Sequence, residues 1–103
     1  MKQIERIEKM EQYLNESEQA VRALSEALER YEKVQPSLKK LTDYYGSTLW
    51  MKDYEADEKG KLPPALKRGV LSEDTVYDLI LQYRDLNRRM LRLVSTALDS
   101  DML

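Results

Sequence analysis

At 103 residues the chain has room for one domain, and a domain this small buries a lesser share of its surface than a larger one, which implies a thin hydrophobic core. Charged residues make up 35% and hydrophobic residues 42%, with only three glycines and three prolines, a balance that favours long helices over strands. The chain has no cysteine and no histidine, which removes disulfides, thiolate nucleophiles, thiolate metal sites and the commonest general base, and a net charge of −2 supplies no global field toward nucleic acid or an anionic membrane.

The opening residues Met1 to Arg6 are charged and no apolar run follows them, so neither a signal peptide nor a membrane span is expected and the cytoplasm is the default address. A chain without disulfides fits a reducing interior. From Ile4 to Tyr45 apolar residues then recur three and four apart. Ile7, Met10, Leu14, Val21, Leu24, Leu28 and Tyr31 mark a heptad seam that continues through Leu38 to Tyr45. Ala20, Ala23, Ala27, Val34 and Leu41 widen the seam to a bundle-type stripe, while Glu5, Glu8, Glu11, Glu16, Glu18, Glu26 and Glu29 lie largely off it. Polar Ser17, Gln35 and Thr42 interrupt the seam, which favours a helical hairpin or bundle over a free-standing zipper.

Pro36 lacks an amide hydrogen and crowds the preceding turn, so the pattern predicts a helix over 3–34, a kink or short break, and a second helix over 36–46. The connector 47–71 is the least regular stretch. It holds Trp50, Gly60, Gly69 and the Pro63-Pro64 pair, with a short helical turn predicted over Lys52 to Lys59 and Gly60 placed to serve as a left-handed cap. A last helix over 72–98 is predicted from Ser72 as N-cap, Glu73 and Asp74 in its first turn, and the recurrence of Val76, Leu79, Ile80, Tyr83, Leu86, Met90, Leu93, Val94 and Ala97. Residues 99–103 are expected to fray. The predicted architecture is therefore all-α, a single domain over 1–103 folded as a long antiparallel hairpin that packs residues 4–34 against 73–97.

The stretch from Tyr44 to Leu79, YYGSTLWMKDYEADEKGKLPPALKRGVLSEDTVYDLI, together with the opening IERIEKMEQYL, resembles a bacterial family catalogued as domain of unknown function 4298. The similarity covers nearly the whole chain, and Tyr44, Tyr45, Trp50, Asp53, Gly60, Pro63, Gly69, Ser72 and Tyr77 stand where the family pattern expects them. Pro64 and Ala65 depart from it, since polar residues are expected after the first proline. The resemblance implies a small helical protein and carries no activity, cofactor or catalytic residue with it.

Three constellations invite a function. The acidic run Asp53, Glu55, Asp57 and Glu58 could suggest a hard cation, but an EF-hand loop counted from Asp53 would require glycine where Glu58 stands and glutamate where Pro64 stands. A solvated acidic turn, pairing in part with Lys52, Lys59, Lys61, Lys67 and Arg68, is the favoured reading, and no metal, cofactor or catalytic residue is assigned. Arg84, Arg88 and Arg92 step by four along one ridge with Arg89 beside them, a pattern that could track phosphates. With no base-stacking motif alongside, pairing with first-helix glutamates such as Glu18 and Glu26 is favoured. Seven tyrosines without a phenylalanine imply a core whose margins need hydrogen bonds, and Trp50 with Tyr44, Tyr45, Tyr54 and Tyr77 is expected to form an aromatic mini-core capping one end of the hairpin. The other reading makes Trp50, Tyr45 and Tyr54 an exposed recognition site.

The function these features favour is a non-enzymatic module that binds a protein partner or itself, a homodimer included. The alternative is a nucleic-acid-associated regulator using the arginine ridge, followed by a carboxylate enzyme using Asp53, Glu55, Asp57 or Asp74. Neither a membrane nor a small-molecule substrate is an expected partner.

Overall fold

The computed structural model describes residues 1–100, and every regular element in them is helical: α1 (Lys2–Tyr44), α2 (Thr48–Glu58), a 3₁₀ turn (Gly69–Leu71) and α3 (Glu73–Asp99). The all-α class therefore stands. No helix among the described residues is long and apolar enough to cross a membrane. The chain divides into two compact units, one over Met1–Leu38 and the other from Lys39 onward.

The first unit lies entirely on α1, a helix of 43 residues with no buried residue. At about 1.5 Å per residue the helix is roughly 65 Å long. Part of its support is local. Glu29 and Lys33 pair four residues apart at 3.5 Å, and Gln19 donates to Asn15 at 3.4 Å, contacts that contribute only a few tenths of a kcal/mol each. The seam predicted to be buried along residues 4–34 is not buried from Ile4 to Leu28: Ile7, Leu14 and Val21 keep 51%, 52% and 69% of their surface.

Of the kink or short break predicted at Pro36, the break is absent. Helix α1 runs unbroken to Tyr44, so the two helices expected over 3–34 and 36–46 are one. Proline withdraws a single donor, the amide that would reach the Glu32 carbonyl, and the rest of the ladder continues. In the same turn the Gln35 side-chain amide donates to the Tyr31 carbonyl at 3.0 Å. One missing bond inside a helix whose periodicity persists on both sides does not end it.

The second unit is built by caps. The last turn of α1 closes through the Tyr45 amide to the Leu41 carbonyl, and Gly46 at φ +78° lets the chain leave the helix. Ser47 then caps α2, its hydroxyl accepting from the Trp50 amide at 3.2 Å, so this helix begins four residues before the turn predicted at Lys52 and carries Trp50 on it. At the other end the Lys61 amide bonds the Ala56 carbonyl and the Gly60 amide bonds the Asp57 carbonyl, the paired bonds of a Schellman cap around Gly60 at φ +68°. Pro63 and Pro64 enter a turn closed by the Leu66 amide on the Pro63 carbonyl. Ser72 does occupy the N-cap position of α3 with extended backbone, although its side chain makes no capping bond.

Packing within this unit joins α2 to the 3₁₀ turn and the 3₁₀ turn to α3. Its core is one residue from each: Trp50, Leu71 and Val76 are the buried side chains among the described residues. Further along α3, the half-buried positions Ile80, Tyr83, Asn87, Met90 and Ala97 follow the helical period.

Candidate functional site

Trp50 organises the second unit. Its ring stands edge-on to Tyr45, with centroids 5.3 Å apart and planes at 70°, and lies nearly parallel to Tyr54 at 5.2 Å and 18°. Both arrangements suit the ring quadrupole and are worth about 0.5–1.5 kcal/mol each beyond burial. The indole Nε1 donates to the Val70 carbonyl at 2.9 Å, so the ring is held at its polar edge as well as on its faces. Trp50 keeps 7% of its surface. It is a core residue of the unit rather than an exposed recognition residue.

The flanking tyrosines converge on one residue. Tyr45 Oη donates to the Glu73 carbonyl at 2.8 Å and Tyr54 Oη donates to Glu73 Oε1 at 2.9 Å. Glu73, the first residue of α3, thus receives one bond on its backbone and another on its carboxylate. Tyr44 Oη donates to Asp53 Oδ2 at 2.6 Å, joining the end of α1 to α2. Donation to a carboxylate stabilises the protonated phenol, and with partial desolvation and the nearby Asp53 charge it pushes the Tyr44 hydroxyl up from 10.0 to about 12. The Tyr54 hydroxyl is pushed up still further by hydrogen bonds to Glu73 and Glu58, then by desolvation and the charges of those two groups. Tyr77, grouped with these rings on sequence grounds, stays 52% exposed outside the cluster.

The acidic run is dispersed by its bonds. Asp53 serves Tyr44, and Asp57 Oδ1 pairs with Arg68 Nη1 at 2.7 Å, both side chains only partly exposed. The second contact ties the end of α2 to the start of the 3₁₀ turn. No group of three or more acidic side chains among the described residues is arranged to hold a metal ion. The pairing expected with Lys52, Lys59, Lys61 and Lys67 is not seen; Arg68 alone makes an ion pair with the run.

Arg84, Arg88, Arg89 and Arg92 are all exposed on α3, and among the described residues none makes an ion pair. Glu18 and Glu26, expected on sequence grounds to brace them, are exposed as well. Arg89 and Arg92 line a shallow depression of about 270 Å³ with Leu93 and Thr96. A larger groove of about 680 Å³ opens between the end of α1, the 3₁₀ turn and α3, where Leu41, Val70, Val76 and Leu79 give it apolar walls and Lys67, Asp78 and Gln82 its charged and polar ones.

Sequence reasoning grouped Trp50 correctly with Tyr45 and Tyr54 but added Tyr77, and it missed Glu73 as the acceptor shared by the two tyrosines and Val70 as the indole partner. A backbone carbonyl has no side-chain signature, so the second could not be read from residue types. No curated protein and no solved structure matches the chain. The family profile named Domain of unknown function (DUF4298) matches residues 7–93, which takes in the α1 seam, the whole aromatic latch and the arginine ridge; the chain belongs to that family.

Proposed function

We propose that the chain is a non-enzymatic helical interaction module in which the latched second unit anchors a long helix that offers its apolar seam to another protein surface. The observation that carries this reading is the exposure of Ile7, Met10, Leu14, Val21 and Leu24 along α1 without a single buried residue on that helix. Contiguous exposed apolar rows of this kind mark interaction surfaces. Self-association is the simplest use, since two copies bring identical seams. A cytoplasmic location belongs to the same reading, and a cysteine-free chain suits it.

Sedimentation over a micromolar concentration series tests it. The mass should rise with concentration, and Leu14→Glu or Val21→Glu should hold the protein monomeric while leaving the Trp50 environment unchanged, because both lie on the first unit. A wild-type chain that stays monomeric at high concentration overturns self-association.

The exposed ridge of Arg84, Arg88, Arg89 and Arg92 along α3, with no ion pair among the described residues, supports a second reading, a nucleic-acid-associated regulator. Binding to DNA or RNA should then weaken with salt, and replacing Arg88, Arg89 and Arg92 by Gln should lower affinity and flatten the salt slope without changing the melting temperature. No binding at near-physiological ionic strength would remove this reading.

A further inference from the structure

Helix α1 is 43 residues long and α3 is 27. At about 1.5 Å per residue the difference is roughly 24 Å, so a part of the α1 seam exceeds what the only other long helix among the described residues could cover even at full overlap. Resting on the self-association reading above, we propose that the partner is a second copy whose α1 lies parallel and in register against this one over residues 4–28.

The charges flanking the seam select that orientation. With Ile7, Leu14, Val21 and Leu28 at heptad position a and Met10, Ser17 and Leu24 at d, position e carries Glu11, Glu18, Ser25 and Glu32, and position g carries Arg6, Tyr13, Ala20 and Ala27. An antiparallel pair sets e against e. Every antiparallel alignment that seats a against d over two or more heptads of residues 4–34 brings Glu11 or Glu18 opposite Glu11, Glu18 or Glu32 of the second copy. A parallel pair sets g against the following e, which places Arg6 beside Glu11 of the second copy, twice by symmetry, and faces no like charges across the seam. Among the described residues neither Arg6 nor Glu11 makes an ion pair. Register follows from Ser17. In register its hydroxyl meets the same hydroxyl and the two can bond, whereas a slip of one heptad sets Ser17 against Met10 or Leu24 and shortens the overlap.

The cysteine-free chain permits a direct test with single-cysteine variants of the full protein. Leu14→Cys and Leu24→Cys, oxidised separately, should each form a disulfide-linked dimer, and an equal mixture should yield only the two homodisulfides by mass spectrometry. Positions 14 and 24 face each other in the antiparallel alignment of longest overlap, so a 14-to-24 heterodisulfide would overturn the orientation while sedimentation as a dimer left self-association standing. Monomers in sedimentation would remove both. As a second measurement, Arg6→Glu and Glu11→Arg should each weaken dimerisation about tenfold, the effect expected of turning two flanking attractions into repulsions, and their combination should restore it. Failure of the combination to restore it also overturns the parallel pairing.

Discussion

The two units draw on one composition and reach order by opposite means. From Lys39 onward, short elements are pinned by non-local bonds: an indole on the Val70 carbonyl, two phenols on Glu73, and a guanidinium on Asp57. Over Met1–Leu38 the bonds of Gln19 to Asn15 and of Lys33 to Glu29 stay within one helix, and no residue of that helix is buried. Non-local bonds and burial give a segment its own stability, whereas a single helix in water is held by propensity and pairs worth tenths of a kcal/mol. The comparison teaches that non-local bonds and burial hold the second unit together, while the apolar seam of the first is left exposed from Ile4 to Leu28.

The largest expected effect breaks the second unit. Trp50→Ala removes the side chain that touches both flanking tyrosines and the 3₁₀ turn, and should cost about 3–5 kcal/mol, a large part of the stability of a small domain. Urea denaturation followed by circular dichroism would measure it, since no tryptophan would remain for fluorescence. A loss under 1 kcal/mol would mean that the latch is not the centre of the unit. Gly60→Ala sharpens the point at lower cost. No atom lies within 4 Å of the added methyl, so only the left-handed backbone at φ +68° is penalised, by about 1–2 kcal/mol. Neither substitution should alter association through α1 in protein that remains folded, because both act on the other unit.

How much of this was legible in the sequence follows the same division. Helical periodicity placed the outer bounds of the α1 segment and both ends of α3 to within two residues, because a 3.6-residue repeat is written in side chains. Gly60 was readable as a cap, since only glycine takes the left-handed conformation cheaply there. The start of α2 was missed although Ser47 supplies a capping hydroxyl, because Thr48 to Met51 show no helical stripe. Pro36 misled in the other direction: a local rule predicted a break, and the surrounding ladder outweighed one lost bond. In the candidate site the rings were visible and their acceptors were not, because a carbonyl at Val70 and another at Glu73 depend on how the chain returns. The arginine ridge was visible too, because its step of four is written in the side chains, whereas what it pairs with depends on geometry rather than on residue counts.

The smallest expected effect is a pH dependence confined to the latch. Tyr44 in the unfolded chain loses its proton near 10.0, whereas in the folded chain the bond to Asp53 keeps it until about 12. The folded state therefore binds more protons between those values, and its stability must fall as pH rises through that window while remaining fully present below it. The 2.6 Å bond explains the direction: a phenolate cannot donate to Asp53, and two negative groups would then face each other. The informative quantity is thus the difference between wild type and Tyr44→Phe, which has no phenol to titrate. The wild-type melting temperature should drop more steeply from pH 10 to 12, by a few degrees at most. Variants at Leu14 or Val21 should keep the full wild-type slope, because the titrating bond lies in the unit they leave untouched. Coincident curves for wild type and Tyr44→Phe would show that the Tyr44–Asp53 contact does not hold the end of α1 to α2.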